Sequence, residues 1–176
     1  RSSDLGAASL NADQLTALSS AYLSRLCNAS TLHAAYRDAT LEDGLNGAEF
    51  YFASHVPLRT KLDLQAGFAE AAKAVETELT RLRKRGSYAR DTIGRHPQIR
   101  ANPALQGGDR WRLVIEQVSS LEDYCAPTKS QLAVALAADG TGSVWHYDAN
   151  AFSDTLVEKM QTQFCTFVTA ALNDPQ

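Results

Sequence analysis

Apolar residues recur at intervals of about 3.6 positions in several stretches of this chain, and each stretch predicts an amphipathic helix. The first helix follows Asn11, which forms a capping-box pattern with Gln14. The second is predicted to begin at Asp63, and the third follows Ser153 as its cap. The stripes predicted to be buried are Leu15, Leu18, Tyr22, Leu23 and Leu26, then Leu64, Phe68, Ala71, Ala72, Val75, Leu79 and Leu82, and finally Val157, Met160, Phe164, Phe167, Val168 and Ala171.

Short runs of apolar, aromatic and β-branched residues lie between these helices and predict strands. The predicted strands are residues 31–39, 49–54, 111–118, 131–137 and 143–148. A short turn with Gly140 and Gly142 joins the last two strands, which predicts a β-hairpin. Residues 55–62 are extended, and Pro57 requires an edge, an end or a bulge there. The chain is therefore expected to close with two adjacent strands and one long helix.

Helices and strands alternate along the chain, and this predicts an α/β or α+β fold with a mixed sheet flanked by helices. A length of 176 residues suits one compact domain, or one half of a two-lobed domain. We expect residues 1–10 to form a flexible lead-in and residues 11–176 to form a single unit. The segment from Gly86 to the paired glycines Gly107 and Gly108 is the least regular part of the sequence.

Composition and charge exclude several classes of protein. A hydrophobic fraction of 44% with 21% charged residues is ordinary for a globular domain. The net charge of -3 gives no general electrostatic case for nucleic-acid binding. The sequence shows no signal-peptide pattern and no apolar run of membrane-spanning length, so we expect neither export nor a membrane span. We expect no membrane association and no nucleic-acid partner.

Three cysteines are spread widely and form no CxxC pair. Cys27 and Cys165 fall on the apolar faces of predicted helices, where a free thiol behaves as a small hydrophobic group. With Cys125, they are expected to be buried thiols in a reducing compartment, which indicates a cytoplasmic protein.

The sequence singles out no catalytic or metal-binding residue. It contains no GxSxG elbow, no P-loop and no GxGxxG turn. The four histidines have neither HxH nor HExxH spacing and are expected to be structural or surface residues. These histidines are His33, His55, His96 and His146.

The one local charge anomaly is basic and lies between residues 81 and 100, where Asp91 is the single acidic residue. The helix dipole favours cations in a last helical turn, so a solvated helix end accounts for much of this cluster. The functional alternative is a docking patch for an acidic partner or for a phosphate-bearing cofactor arm. The residues of this predicted patch are Arg81, Arg83, Lys84, Arg85, Arg90 and Arg95.

Several segments, taken in order, resemble the C-terminal lobe of a nonribosomal peptide synthetase condensation domain. Residues 46–59, ending in Val-Pro-Leu-Arg, resemble the family's segment of a Gly, an aromatic strand and a terminal (V/L)PLR. Residues 67–91 resemble the long helix that follows, and residues 94–100 resemble an Arg-x-Pro segment beyond it. The closing strand-strand-helix unit ends at residues 170–175 much as these domains end before an adenylation domain.

This resemblance implies one lobe of a chloramphenicol-acetyltransferase-like fold. A complete condensation domain joins an acyl or peptidyl group to an aminoacyl group, both carried on the phosphopantetheine arms of carrier proteins. Its active-site histidine belongs to an HHxxxDG motif in the N-terminal lobe, and this chain contains no such motif. The Phe-Val-Asn of the family is also replaced, and Tyr36-Arg37 stands where a Gly-Arg segment is expected. No catalytic residue is therefore carried over, and Arg59 matches the Arg of the motif with an expected structural role.

The first hypothesis is a partial, non-catalytic lobe that acts as a docking module for an adenylation domain or a peptidyl carrier protein. It would bind no cofactor directly, since phosphopantetheine belongs to the carrier, and it would serve antibiotic or siderophore peptide biosynthesis. The alternative is half of an acyl-transferring enzyme whose histidine lobe lies upstream or on another chain. A third option is an unrelated binding domain that uses the basic stretch to bind an acidic protein or RNA.

Overall fold

The computed structural model describes residues 2–4, 10–101, 111–127 and 129–173. The strands are β1 (Ser2–Asp4), β2 (Thr31–Arg37), β3 (Val56–Lys61), β4 (Leu113–Val118), β5 (Leu132–Ala137) and β6 (Gly142–Tyr147). The helices are α1 (Ala12–Leu26), α2 (Ala39–Asp43), α3 (Phe68–Arg85), α4 (Thr92–Arg95), α5 (Pro97–Arg100) and α6 (Asp154–Asn173), with a 3-10 helix at Glu49–Tyr51. The predicted glycine pair at 107–108 and the end of the closing segment at 174–175 lie outside the described residues.

The strands form one mixed sheet in the order β1-β6-β5-β4-β2-β3. The pairs β2–β4 and β4–β5 are parallel, while β2–β3, β5–β6 and β1–β6 are antiparallel. The mixed sheet with flanking helices and the closing hairpin are therefore confirmed. Because β2, β4 and β5 run in the same direction, their carboxyl ends lie along one edge of the sheet.

The predicted helix caps are present in α1 and α6. The Gln14 backbone N–H donates to Asn11 Oδ1 at 2.8 Å, and the Asn11 N–H donates to Gln14 Oε1 at 3.0 Å. This capping box satisfies N–H groups that the first turn leaves free. At the start of α6 the Leu156 N–H donates to Ser153 Oγ at 3.3 Å.

The core lies between one face of the sheet and helices α1, α3 and α6. An aromatic cluster marks its centre, with ring centroids of Tyr22 and Trp145 6.4 Å apart and those of Trp145 and Phe164 5.6 Å apart. The opposite face is covered over a smaller area, where Ala35, Val114 and Ala133 are buried. Side chains alternate along a strand, so the neighbours of these small residues point into the main core.

The strand predicted for residues 49–54 is wrong. Glu49–Tyr51 form a 3-10 helix, and Phe50 and Tyr51 are 77% and 70% exposed. The reason lies in the neighbouring strand, because Tyr36 pairs with Val56 and the chain then turns into α2. Residues before Val56 consequently have no strand of the sheet beside them, and aromatic β-propensity alone does not sustain a strand.

The second long helix begins later than predicted. Gly67 precedes its first residue, Phe68, whereas Asp63 was expected to start it. The Asp63 carboxylate accepts a hydrogen bond from the Gln65 N–H at 2.9 Å, which closes a local turn. Asp side chains compete with helix formation in this way, so the helix is delayed to Phe68.

The prediction of buried thiols is also wrong for this chain. Cys27 and Cys125 are exposed, Cys165 is partly buried, and all of them are free. Cys27 caps the carboxyl end of α1, where the helix has already left the core and Leu26 is 46% exposed. The apolar stripe of α1 therefore ends one turn earlier than its sequence pattern indicates.

The first residues contain a strand that the sequence did not predict. Ser2 pairs with Val144 and Asp4 with Gly142, so β1 adds an antiparallel edge beyond β6. Pairing of this kind depends on a distant strand, and the small polar residues carry no strand pattern of their own. The boundary between residues 1–10 and 11–176 stays a prediction.

Candidate functional site

A polar cleft opens at the carboxyl ends of the parallel strands β2, β4 and β5. Its volume is about 520 Å³, and its lining includes Arg37, Asp38, Gln117, Asp123 and Tyr124. Edges of this kind are frequent ligand sites in α/β sheets, because loops and side chains converge there. The cleft is therefore the first place to look for chemistry.

Beside the cleft, Arg83 of α3 joins α1 and β2 through a network of hydrogen bonds. Its guanidinium donates to both oxygens of Asp13 at 2.7 Å and to Asp38 Oδ2 at 2.8 Å. The Tyr36 hydroxyl donates to the same Asp38 oxygen at 2.8 Å. Gln117 Nε2 donates to Asp13 Oδ1, also at 2.8 Å. We call these five residues the Arg83 network.

The charges of the Arg83 network depend on one another. The hydrogen bond from Arg83 holds the pKa of Asp13 below its usual range, despite partial burial of that carboxyl. Burial and the nearby Asp38 carboxylate raise the pKa of Tyr36, so the hydroxyl stays protonated. The hydrogen bonds to Asp13 and Asp38 raise the pKa of Arg83 further. The network therefore connects α1, α3 and the end of β2, and its groups exchange few protons near neutral pH.

A second polar contact connects the residue before β3 with β4. His55 Nε2 is 2.7 Å from Glu116 Oε1, and His55 Nδ1 is 3.0 Å from Ser54 Oγ. His55 is 8% exposed and Glu116 is 1% exposed. Burial raises the pKa of Glu116, but the hydrogen bond with His55 and the nearby Arg37 charge outweigh it and hold the pKa below its usual range. Glu116 is therefore a buried carboxylate held by His55.

Tyr124 completes the wall of the cleft. Its ring contacts His146 edge-on, with centroids 5.3 Å apart. Burial and the neighbouring Glu116 carboxylate raise the pKa of Tyr124. Among the described residues, neither the Tyr124 hydroxyl nor Glu116 Oε2 has a hydrogen-bond partner. Both atoms are buried polar groups that an additional donor or acceptor could satisfy.

The charge of Glu116 makes a testable contribution to stability. Glu116→Gln keeps the side-chain shape but removes the charge, and we expect a loss of about 1 kcal/mol in the free energy of unfolding at pH 7. Because the pKa of Glu116 is depressed in the fold, its stabilisation is present above the unfolded-state pKa and declines as pH falls through the folded value.

Urea denaturation at pH 7 and pH 3.5 checks this expectation. The difference between wild type and Glu116→Gln should shrink at the lower pH, whereas Glu122→Gln, at an exposed loop position, should change stability little at either pH. An equal loss at both pH values would show that shape, and not charge, matters at residue 116.

Four of the six basic residues of the predicted docking patch are bonded to other groups of the chain. Arg83 is used in the internal network, and its side chain is only 24% exposed. Arg81 pairs with Glu78, Arg95 pairs with Asp91, and Arg90 donates to the Phe52 carbonyl oxygen at 2.6 Å. Lys84 and Arg85 are exposed at the end of α3 and form no ion pair with another described residue. The docking patch itself stays a prediction, now centred on this exposed pair.

Arg59 and the remaining histidines lie away from the cleft. Arg59 is exposed on the edge strand β3, opposite His33 in the register. His96 is exposed at the junction of α4 and α5. A structural role for Arg59 stays a prediction. No described histidine lines the polar cleft directly.

The comparisons with known proteins give matches among solved structures alone. No family model and no curated protein matches the chain. The starter condensation domain of rhizomide synthetase RzmA superposes with a TM-score of 0.63 at 11% identity over 100% of this chain. The first condensation domain of the calcium-dependent antibiotic synthetase superposes with a TM-score of 0.57 at 14% identity over 93% of this chain.

The chain has the fold of a condensation-domain lobe. A protein named CT also shares it, with a TM-score of 0.70 at 12% identity over 100% of this chain. The lobe spans 45%, 38% and 45% of these three chains, in the order given, which is less than half of each. The resemblance seen in the sequence is thereby confirmed for the fold of a single lobe. At identities this low, the likeness between the structures shows the fold and does not show the activity.

Two further observations concern the described part of this lobe. No group of His, Cys, Asp or Glu among residues 2–4, 10–101, 111–127 and 129–173 could hold a metal ion. No helix within the same ranges has both the length and the apolar character to cross a membrane.

The residues that matter most around the cleft were not identified from the sequence. Asp13 carried no signal in the sequence, and Asp38 stood only as a polar group at the end of a predicted strand. Their partner Arg83 is 70 and 45 residues away along the chain, so no local pattern links them. Glu116 could have been identified from the sequence, since its charge interrupts the apolar run Leu-Val-Ile-Glu-Gln-Val of a predicted strand. A charge in such a position needs a partner in the fold.

Proposed function

We propose that this chain is a non-catalytic condensation-type lobe that acts as a docking module in a peptide-synthesising assembly. Its partner would be an adjacent adenylation domain or a peptidyl carrier protein. The observation that carries this proposal is the internal use of the polar groups near the cleft. Both ring nitrogens of His55 are engaged, and Arg83 is paired with two carboxylates.

General acid–base catalysis requires a titratable group that reaches the reacting atoms. The described histidines do not line the cleft, and the sequence lacks the HHxxxDG motif. The chain also matches less than half of each condensation domain with which it superposes. These observations support a role in binding and positioning rather than in forming a bond alone.

The contact with a carrier protein is proposed to involve Lys84 and Arg85. Both are exposed cations in the last turn of α3, and both are available to a phosphate-bearing arm or an acidic helix. Phosphopantetheine would remain covalently attached to the carrier, so the lobe would bind no cofactor of its own.

The isolated chain and carrier proteins from its own gene cluster provide the test. With two loaded carriers, we expect no condensation product by mass spectrometry. Calorimetry should detect binding of a carrier or of the adjacent adenylation domain, and Lys84→Glu with Arg85→Glu should weaken carrier binding by roughly tenfold. The control Lys73→Glu makes the same kind of charge change on the same helix at another exposed position.

Condensation by the chain alone would overturn the proposal, and so would the absence of binding to every tested carrier and adenylation domain. The alternative of a half enzyme is favoured by the partial coverage of the solved domains. It predicts that product appears when an HHxxxDG-containing N-terminal lobe is added, and that neither lobe forms product alone.

A further inference from the structure

An apolar groove lies at the other end of the sheet from the polar cleft. Its walls are the end of α1 and the start of α6, and its floor is formed where β2, β4 and β5 begin. Leu32, Leu113 and Leu132 mark the strand starts in this floor. We call this cavity the α1–α6 groove. Its volume is about 540 Å³, within the range of roughly 300–1,000 Å³ that is typical of small-molecule sites.

The rim of the α1–α6 groove exposes large apolar side chains. Leu26 on α1 and Leu156 on α6 are each 46% exposed and line the groove from opposite sides. Cys27 and Met160 lie on the same walls. A concave apolar surface of this kind gains free energy when an apolar ligand displaces water from it.

The charges around the α1–α6 groove are positive. The ionisable side chains in its lining are Arg112, Lys159, His33 and the thiol of Cys27, with no carboxylate among them. Past Arg112 and Gln131 the groove continues into a depression that Lys129 and Asp148 also line. Asp148 Oδ1 already accepts two hydrogen bonds from Asn150, from its backbone and side-chain nitrogens, at 2.9 Å.

Three cations at this end are available to a ligand. Arg112, Lys129 and Lys159 form no ion pair with another described residue. Their concentration here contrasts with the net charge of -3 for the whole chain. An occupant that complements this groove has an apolar body and one anionic end.

We infer that the α1–α6 groove binds a long-chain carboxylate, with the alkyl chain between Leu26 and Leu156 and the carboxylate near Arg112 and Lys159. Each methylene group that is fully buried increases the affinity by about fourfold, so chain length controls binding strongly. The carboxylate supplies the charge that these cations complement. This inference is independent of the proposed docking function, because the two sites use different residues.

Cys27 provides a direct readout of occupancy. It lines the groove, whereas Cys125 is equally free and exposed but lines the polar cleft. The full chain is treated with iodoacetamide with and without laurate below its micelle concentration, and both sites are followed by peptide mass spectrometry. At a laurate concentration ten times its Kd, alkylation of Cys27 should slow by about tenfold while that of Cys125 is unchanged.

Variants distinguish the contacts of the alkyl chain of laurate from those of its carboxylate. Leu156→Asp and Lys159→Glu should each raise the Kd for laurate by roughly tenfold, so that alkylation of Cys27 slows only about twofold at the same laurate concentration, while Leu172→Asp should leave the protection unchanged. Leu172 is the matched control, since it is 39% exposed on the same helix and lies outside the groove. Dodecanol, which has the same chain length without the charge, should bind with a Kd about tenfold higher and slow alkylation only about twofold at the same concentration.

Several results would overturn the inference. These are a lack of Cys27 protection, equal protection of Cys27 and Cys125, or dodecanol protecting as well as laurate. If Cys27 becomes protected without laurate as the protein concentration rises, the groove is covered by a second copy of the chain. That outcome would replace the carboxylate with a self-association surface. Circular dichroism of each variant confirms that it remains folded.

Discussion

Arg83→Met is expected to lower the free energy of unfolding by about 3 kcal/mol, because it leaves a buried carboxylate without its counter-ion. Asp38 is 2% exposed, and it would retain hydrogen bonds from the Tyr36 hydroxyl and the Leu41 N–H but no positive charge. Methionine preserves much of the volume of the arginine stem, so the effect comes mainly from the lost guanidinium contacts. Urea denaturation at pH 7 measures this loss.

Arg81→Met is the matched control on the same helix. Arg81 pairs with Glu78 on the surface, where solvent screens the charges, so Arg81→Met should change stability little. Similar losses for Arg81→Met and Arg83→Met would show that the Arg83 network adds nothing beyond a surface pair. The two variants remove the same charge, so a change in net charge cannot explain a difference between them.

The pH dependence of Arg83→Met has a predictable sign. Arg83 lowers the pKa of Asp13 below its ordinary value of 3.8, so wild type should lose this stabilisation as pH falls below that value. Without Arg83 the pKa of Asp13 rises, and the loss of stability on acidification should be smaller. Denaturation curves collected from pH 7 to pH 3 test this.

Gly140→Ala is expected to destabilise the fold by about 3 kcal/mol or more. A Cβ at residue 140 would lie 1.7 Å from the Leu10 carbonyl oxygen, and the residue has a φ of +80°. The substitution therefore adds backbone strain and also forces the segment before α1 away from the hairpin of β5 and β6. Thermal and urea unfolding both report the loss.

Substitutions at two other glycines distinguish the cost of backbone strain from the cost of the close approach to Leu10. Gly47 has a φ of +87°, and no heavy atom beyond its two chain neighbours lies within 4 Å of the position that an alanine methyl group would take there. Gly47→Ala should therefore cost about 1 kcal/mol from strain alone. Gly44 has open space and a φ of -67°, and Gly44→Ala should change stability by less than about 0.5 kcal/mol. If Gly140→Ala costs no more than Gly47→Ala, the close approach to Leu10 has no energetic consequence.

The sequence predicted those parts of the fold that depend on local patterns. The predicted buried stripe of α6, from Val157 to Ala171, was correct, because a regular apolar period is sufficient to orient a long helix. The hairpin of β5 and β6 was correct because its turn lies between two apolar runs. The family resemblance rested on this closing unit together with residues 46–59, 67–91 and 94–100, and it gave the correct fold of a single lobe.

Features that depend on distant partners were missed or misassigned. Residues 49–54 have strand composition, but whether they pair is decided by where β2 ends. Arg83 has the position of a solvated helix end, yet it is fixed by carboxylates on α1 and after β2. The exposure of Cys27 follows from where α1 leaves the core, which its own sequence does not indicate.

The strand order has a consequence for synthesis of the chain on the ribosome. Strands β2 and β3 emerge early, but β2 is completed as an inner strand only when β4 pairs with it at Ala35–Val114, Tyr36–Ile115 and Arg37–Glu116. Until then, a nascent chain exposes the open edge of β2 to other nascent chains, which is a recognised route to aggregation. Chaperone demand during translation should therefore be highest between the emergence of β3 and that of β4.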